Sequence, residues 1–110
     1  MKKEHLHTSD RKAIYNIAYS NIIRIEAKRS SCIIHLEKGE SILITKSMAK
    51  VCEKEIKDIR FIKTHRSHII NYDKVNLFSR KENKIVMINN DLVPLSKGQK
   101  PDFIRVYNKL

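Results

Sequence analysis

The stretch Ile23-Arg24-Ile25-Glu26-Ala27-Lys28 decides the fold. Apolar and charged residues alternate along it, so an extended chain presents one apolar face and one charged face, as a half-buried antiparallel strand requires. The run from Cys32 to Leu36 repeats the alternation, and Lys38-Gly39-Glu40 separates it from Ile42-Leu43-Ile44. A glycine between two such runs supplies the positive φ that a hairpin turn often needs, so these strands are expected to pair. Further on, Val75 to Arg80 and Lys84 to Ile88 flank Lys81-Glu82-Asn83, and Asn89-Asn90-Asp91 leads into Leu92-Val93-Pro94-Leu95. Turn-forming residues at both corners predict a three-strand meander.

Ser47 to Ile59 departs from period two. Ser47 is a candidate N-cap, and Met48, Val51, Cys52, Ile56 and Ile59 recur at helical spacing, predicting one amphipathic helix laid on the sheet. Lys50, Lys54 and Lys57 then fall on its solvated side. Pro101 to Leu110 opens on proline and carries Phe103, Ile104 and Tyr107 at helix-like intervals, predicting a short terminal helix. Strands without alternating β-α units exclude doubly wound folds and TIM barrels. The expected class is mainly β: an elongated antiparallel sheet or sandwich with one internal helix and a short C-terminal one. With 110 residues, two glycines, two prolines and no linker, residues 1–110 are expected to be a single domain. A chain of this size needs neither a disulfide nor a metal to complete its core.

Twenty-three Lys and Arg against twelve Asp and Glu give a formal charge of +11, which points to a polyanionic partner or to a basic, solubilising surface. The cations are interleaved with apolar residues throughout, unlike a disordered arm. The N-terminal MKKEHLHTSD starts like a signal peptide but lacks the apolar core of one, and no run approaches a membrane span, so a cytoplasmic protein is expected. Cys32 and Cys52 read as reduced, buried thiols. No nucleophile sits with a base, no carboxylates converge and no phosphate-binding glycine loop is present, so no enzyme and no cofactor is expected. His5-x-His7, His65-x-x-His68 and the two cysteines do not make the paired spacing of a zinc site.

Between two apolar stretches lies a basic island, Phe61-Ile62-Lys63-Thr64-His65-Arg66-Ser67-His68-Ile69-Ile70-Asn71. Arginine carries a rigid fork of donors that matches guanine O6 and N7 together, which makes Arg66 the first candidate for a base contact; a phosphate would satisfy it equally. His65 and Ser67 can donate to phosphate or bond their own backbone in a turn. His68 begins an apolar strand, where half-burial is expected. Lys46 and the amides that open the helix suit a phosphate. The island resembles the FxRxHRSxxVN signature of LytTR domains. Ile22 to Ala27, Lys46-Ser47-Met48 and Val93-Pro94-Leu95-Ser96 fall in the order that family shows, and the similarity runs from about Ile14 to Phe103.

The resemblance implies an elongated β fold of bacterial transcription regulators, usually attached to a receiver domain. It further implies loops that enter successive major grooves of double-stranded DNA, commonly at direct-repeat sites that two protomers occupy together. It also implies a second contact loop, Lys28-Arg29-Ser30-Ser31, with Arg29 foremost, and a third, Ser96-Lys97-Gly98-Gln99-Lys100. Many members carry arginine one or two places after that serine, where this chain has Lys97 and Gly98. Lysine lacks the planar fork, so Lys97 and Lys100 suit phosphate anchoring, while Gln99 can pair with adenine. Two rivals share the charge argument: an RNA-binding module, for which three Phe and four Tyr at mostly apolar positions offer few stacking platforms, and a basic protein–protein module.

Overall fold

The computed structural model describes residues 4–56 and 58–108. Lys57 and the chain ends, including Leu110 of the expected terminal helix, lie outside the described residues, as does the side chain of Glu53. A five-stranded antiparallel sheet in the order β5-β4-β3-β7-β6 forms the centre, from β3 (Ile22–Lys28), β4 (Ser31–Leu36), β5 (Ser41–Ile44), β6 (Phe61–His65) and β7 (His68–Asn71). The opening stretch is its middle strand, paired on one side with β4 and on the other with β7. As expected, β4 pairs with β5 around Gly39, whose φ of +81° is the left-handed conformation that glycine adopts without steric cost.

The two faces of this sheet build two cores. On one face, Ile25, Cys32, Ile34, Ile44 and Ile69 pack against Met48 and Val51 of the helical segment and against Leu6 and Ile17. On the other, Ile23 and Ile70 meet Ile85, Met87, Val93, Leu95 and Phe103. A bulge between Ile22 and Arg24 breaks the alternation, so that Ile23 and Ile25, expected on one apolar face, enter opposite cores, and Ile22 joins Ile25. The second core is covered by the expected meander, β8 (Val75–Ser79), β9 (Lys84–Met87) and β10 (Leu92–Pro94), together with helix α1 (Lys100–Tyr107). Asn83 and Asn90 hold φ of 56° and 71° at the two meander corners, a conformation asparagine tolerates better than most side chains.

Two differences from the sequence expectation have local causes. The internal helix is shorter and wider than an α-helix through Ile59: after Met48 and Ala49 it runs as a π-helix over Lys50–Glu55, closed by Ile56 N donating to Val51 O at 3.0 Å. Ser47 caps its start, its Oγ accepting from Lys50 N at 3.2 Å. The chain then turns extended at Ile56, because the Asp58 carboxylate accepts from the backbone N of Arg60 at 2.8 Å and competes with further helical bonding. Ile56 remains buried, but Ile59 leaves the stripe and is 87% exposed. The other difference is an added N-terminal hairpin, β1 (His5–Ser9) with β2 (Ile14–Ala18). It buries Leu6 completely and is closed by Asp10, whose carboxylate accepts from Lys12 N, Ala13 N and, across to the end of β5, Thr45 N. The Thr45 bond above all, with those from Lys12 and Ala13, outweighs burial and holds the Asp10 carboxyl at about 2.

A polar cluster ties the central sheet to the meander. Arg24 donates to Asp91 at 3.0 Å and to Glu26 at 3.3 Å, and His35 Nε2 lies 3.0 Å from Glu26. Burial would raise the Glu26 carboxyl, but the His35 hydrogen bond and the charges of Arg24 and His35 outweigh it and hold the group below its ordinary value. Burial drives the Cys32 thiol up to about 11, with the Glu55 charge adding to the shift, so the thiol stays protonated and unreactive near neutral pH.

Candidate nucleic-acid interface

Antiparallel pairing brings the three loops expected to make contacts to one end of the sheet. β3 ends at Lys28, which pairs with Ser31, so Arg29 and Ser30 form a two-residue turn. β7 begins at His68 beside Glu26, and Ala27 N donates to Ser67 O at 2.9 Å, so the Arg66-Ser67 turn lies against the end of β3. The third loop is drawn in by Ser96 N, which donates to Thr64 O at 2.8 Å on β6. Three segments far apart in sequence thus gather around the end of β3, β6 and β7.

Arg29 and Arg66 are both exposed and line one groove. Among the described residues neither has a carboxylate partner, and the same is true of Lys28, Lys63 and Lys97. Arg60 is matched by Asp58 and Glu4, Lys74 by Glu37 and Arg105 by Asp102, whereas Arg11, Lys12, Lys38, Lys50, Lys54, Arg80, Lys81 and Lys84 also lack a carboxylate partner among the described residues. The unpaired cations of the three loops lie close together and add their charge to a positive potential that extends over the wider surface.

The remaining candidates divide. His65 Nδ1 accepts from Ser67 N at 3.1 Å, which fixes the turn and leaves Nε2–H as the donor of the neutral ring. The His65 and His68 rings meet edge to face at 5.6 Å, and burial holds His68 below the ordinary histidine value, so it is neutral near pH 7. His68 is half-buried, as its strand position predicts. Ser30 is exposed and Ser31 half-buried in the second loop. Lys97 is exposed, while Gln99 and Lys100 are half-buried where their amides close on Ser96 O at 3.1 Å each. Lys46 is already committed, its Nζ lying 2.8 Å from Glu55 and 3.3 Å from Thr8 Oγ1. Lys50 and Lys54 are exposed, as the amphipathic reading expects. Sequence reasoning did not single out Lys63, which is exposed on β6 and lines the groove with Arg29 and Arg66. Its place in period two, on the same side of β6 as Phe61, was the available signal.

Two backbone details bear on the loops. Arg29 holds φ of 58°, a left-handed conformation that strains a side chain by roughly 1–2 kcal/mol. Replacing it with glycine is expected to stabilise the fold by about 0.5–1 kcal/mol in chemical unfolding while weakening any DNA contact the side chain makes. A loss of stability would show that the side chain is held by packing. Gly98, by contrast, needs no left-handed φ, and a side chain there meets nothing within 4 Å. An arginine at the position where many LytTR members carry one is therefore sterically open to this chain.

Among the described residues no helix is long and apolar enough to cross a membrane, and no three or more His, Cys, Asp or Glu side chains gather as metal ligands. The family model of the LytTr DNA-binding domain matches residues 12–107. A similar solved structure is the LytTr DNA-binding domain of a Bacillus cereus protein described as a methyl-accepting/DNA response regulator. It has a TM-score of 0.73 and 20% identity, over 94% of this chain and 96% of that one, a likeness of fold. No curated protein shows significant similarity to the chain. The match to the family model spans nearly the whole chain, and on it the chain belongs to the LytTR family of DNA-binding domains.

Proposed function

We propose that this domain binds double-stranded DNA in a sequence-specific manner within a bacterial transcription regulator of the response-regulator kind, acting in the cytoplasm. One observation carries the reading: three loops distant in sequence meet at one end of the sheet and bear arginines and lysines without carboxylate partners. A surface for phosphates alone needs only charge, whereas this one presents Arg29 and Arg66 on tight two-residue turns that fix where each guanidinium starts. Protruding turns of this width suit the major groove, where each base pair shows a distinct donor and acceptor pattern.

In this reading Arg66 contacts a base edge, supported by Arg29. Lys28, Lys63, Lys97 and Lys100 neutralise phosphates, with Ser30, Ser31, Ser67 and the His65 Nε2–H as further donors. Gln99 is placed for an adenine edge, and Lys46 contributes through the helix start only after leaving Glu55. Two protomers on a direct-repeat site belong to the same reading, on the resemblance to LytTR domains. The experiment is Arg66→Ala with affinities measured for a preferred duplex and for random duplex at one salt concentration. The specific-to-random ratio is expected to fall by about 5–150-fold, the equivalent of roughly 1–3 kcal/mol for a bidentate base contact. An unchanged ratio with both affinities lowered assigns Arg66 to the backbone.

A further inference from the structure

The loops border a groove of about 410 Å³, within the size range of small-molecule sites. Its floor is apolar, with Met48 and Ile56 from the helical side and Phe61 from the sheet. Its rim is cationic, formed by Arg29, Lys63 and Arg66. The acid that lines it, Asp58, is held by the Arg60 guanidinium through contacts of 2.9 and 2.7 Å, so its charge is already balanced. Duplex DNA offers anions to the rim but little apolar surface to the floor. A ligand matching both has an apolar body and one planar anion, the geometry an arginine fork grips best.

We propose that this groove is an effector site for a small amphiphilic carboxylate. The apolar body lies on Met48, Ile56 and Phe61, the carboxylate lies between the Arg29 and Arg66 guanidinium groups, and occupation competes with DNA. The competition rests on the DNA-contacting roles given to Arg29 and Arg66; the site itself does not. The two arginines lack carboxylate partners among the described residues, so among these the ligand displaces no ion pair.

The test titrates the isotope-labelled domain with decanoate, decanol and acetate while following backbone amide signals. Decanoate is expected to shift residues 47–56 and 61–66 and to bind about tenfold more tightly than either control, each of which lacks half of the match. Arg66→Ala should weaken decanoate by a similar factor and leave decanol unchanged. Ala49 is exposed at the groove, so Ala49→Trp should fill it and abolish decanoate binding without entering the core. Decanol binding as tightly overturns the role of the arginines, and acetate binding as tightly overturns that of the floor. Shifts elsewhere, or binding that survives Ala49→Trp, overturn the location. Decanoate at saturation should raise the apparent Kd for duplex DNA, and an unchanged Kd overturns the competition. A domain that bound decanoate in this groove but no duplex DNA would sustain the carboxylate site and remove the DNA reading.

Discussion

Raising the salt concentration from 50 to 200 mM is expected to weaken duplex binding by roughly 10³–10⁵, the response of a protein that neutralises about 6–10 phosphates. The structure names the cations at the loop end: Lys28, Arg29, Lys63, Arg66, Lys97 and Lys100. The four lysines on phosphates give a slope of log affinity against log salt of about −4, and the two arginines, where they displace counterions from phosphates flanking the bases they read, bring it to roughly −5. Lys46 is excluded from that set by its 2.8 Å contact with Glu55. Removing one cation, as in Lys63→Ala, should reduce the slope by about one and lower affinity similarly for all sequences. A flat salt response, measured by fluorescence anisotropy with a labelled duplex, would contradict a phosphate-anchored interface.

The second large effect concerns stability. Asn71, the last residue of the basic island, is fully buried and serves the fold. Its Nδ2 donates to Tyr19 O at 3.3 Å and to Ile22 O at 3.0 Å, and its Oδ1 accepts from Asp73 N at 3.0 Å. One side chain thereby joins the end of β7 to the entry of β3 and to the short 3₁₀ turn Tyr72–Lys74. Alanine in its place leaves two carbonyls and an amide without that partner, at a cost of about 2–4 kcal/mol. For a domain of this size the melting temperature should fall by roughly 10–20 °C. Asparagine cannot be replaced by aspartate here, because a carboxylate has no donor for the two carbonyls and adds a buried charge. Asn71→Ala unfolding at the unaltered denaturant midpoint would show that these bonds contribute little.

The legible part of the fold is the part where burial acts on one face at a time. β4, β5, β9 and β10 were readable because burial falls on alternate residues and because Gly39, Asn83 and Asn90 mark turns that need positive φ, whereas β3 opens on two buried isoleucines that serve both cores. The N-terminal hairpin was not readable: β1 buries only Leu6 and Thr8, and the turn depends on Asp10 reaching Thr45 across the fold. Period-based reading also carried the internal helix too far, since Ile59 fits the stripe while Asp58 ends it through a bond to the Arg60 backbone. For the interface, residue type pointed to Arg66 and Arg29. Only strand pairing shows that they share a groove, and only side-chain contacts show that Lys46 is ion-paired and that Asn71 holds the sheet together.

The central claim is that this loop end reads base sequence, and selection of bound duplexes from a random pool at fixed salt tests it most directly. Successive rounds are expected to converge on a short motif containing a guanine whose substitution lowers the affinity of the unaltered domain by about 5–150-fold and leaves that of Arg66→Ala nearly unchanged. A pool that is retained by the domain yet stays random in sequence would contradict it, leaving an interface that binds phosphates alone.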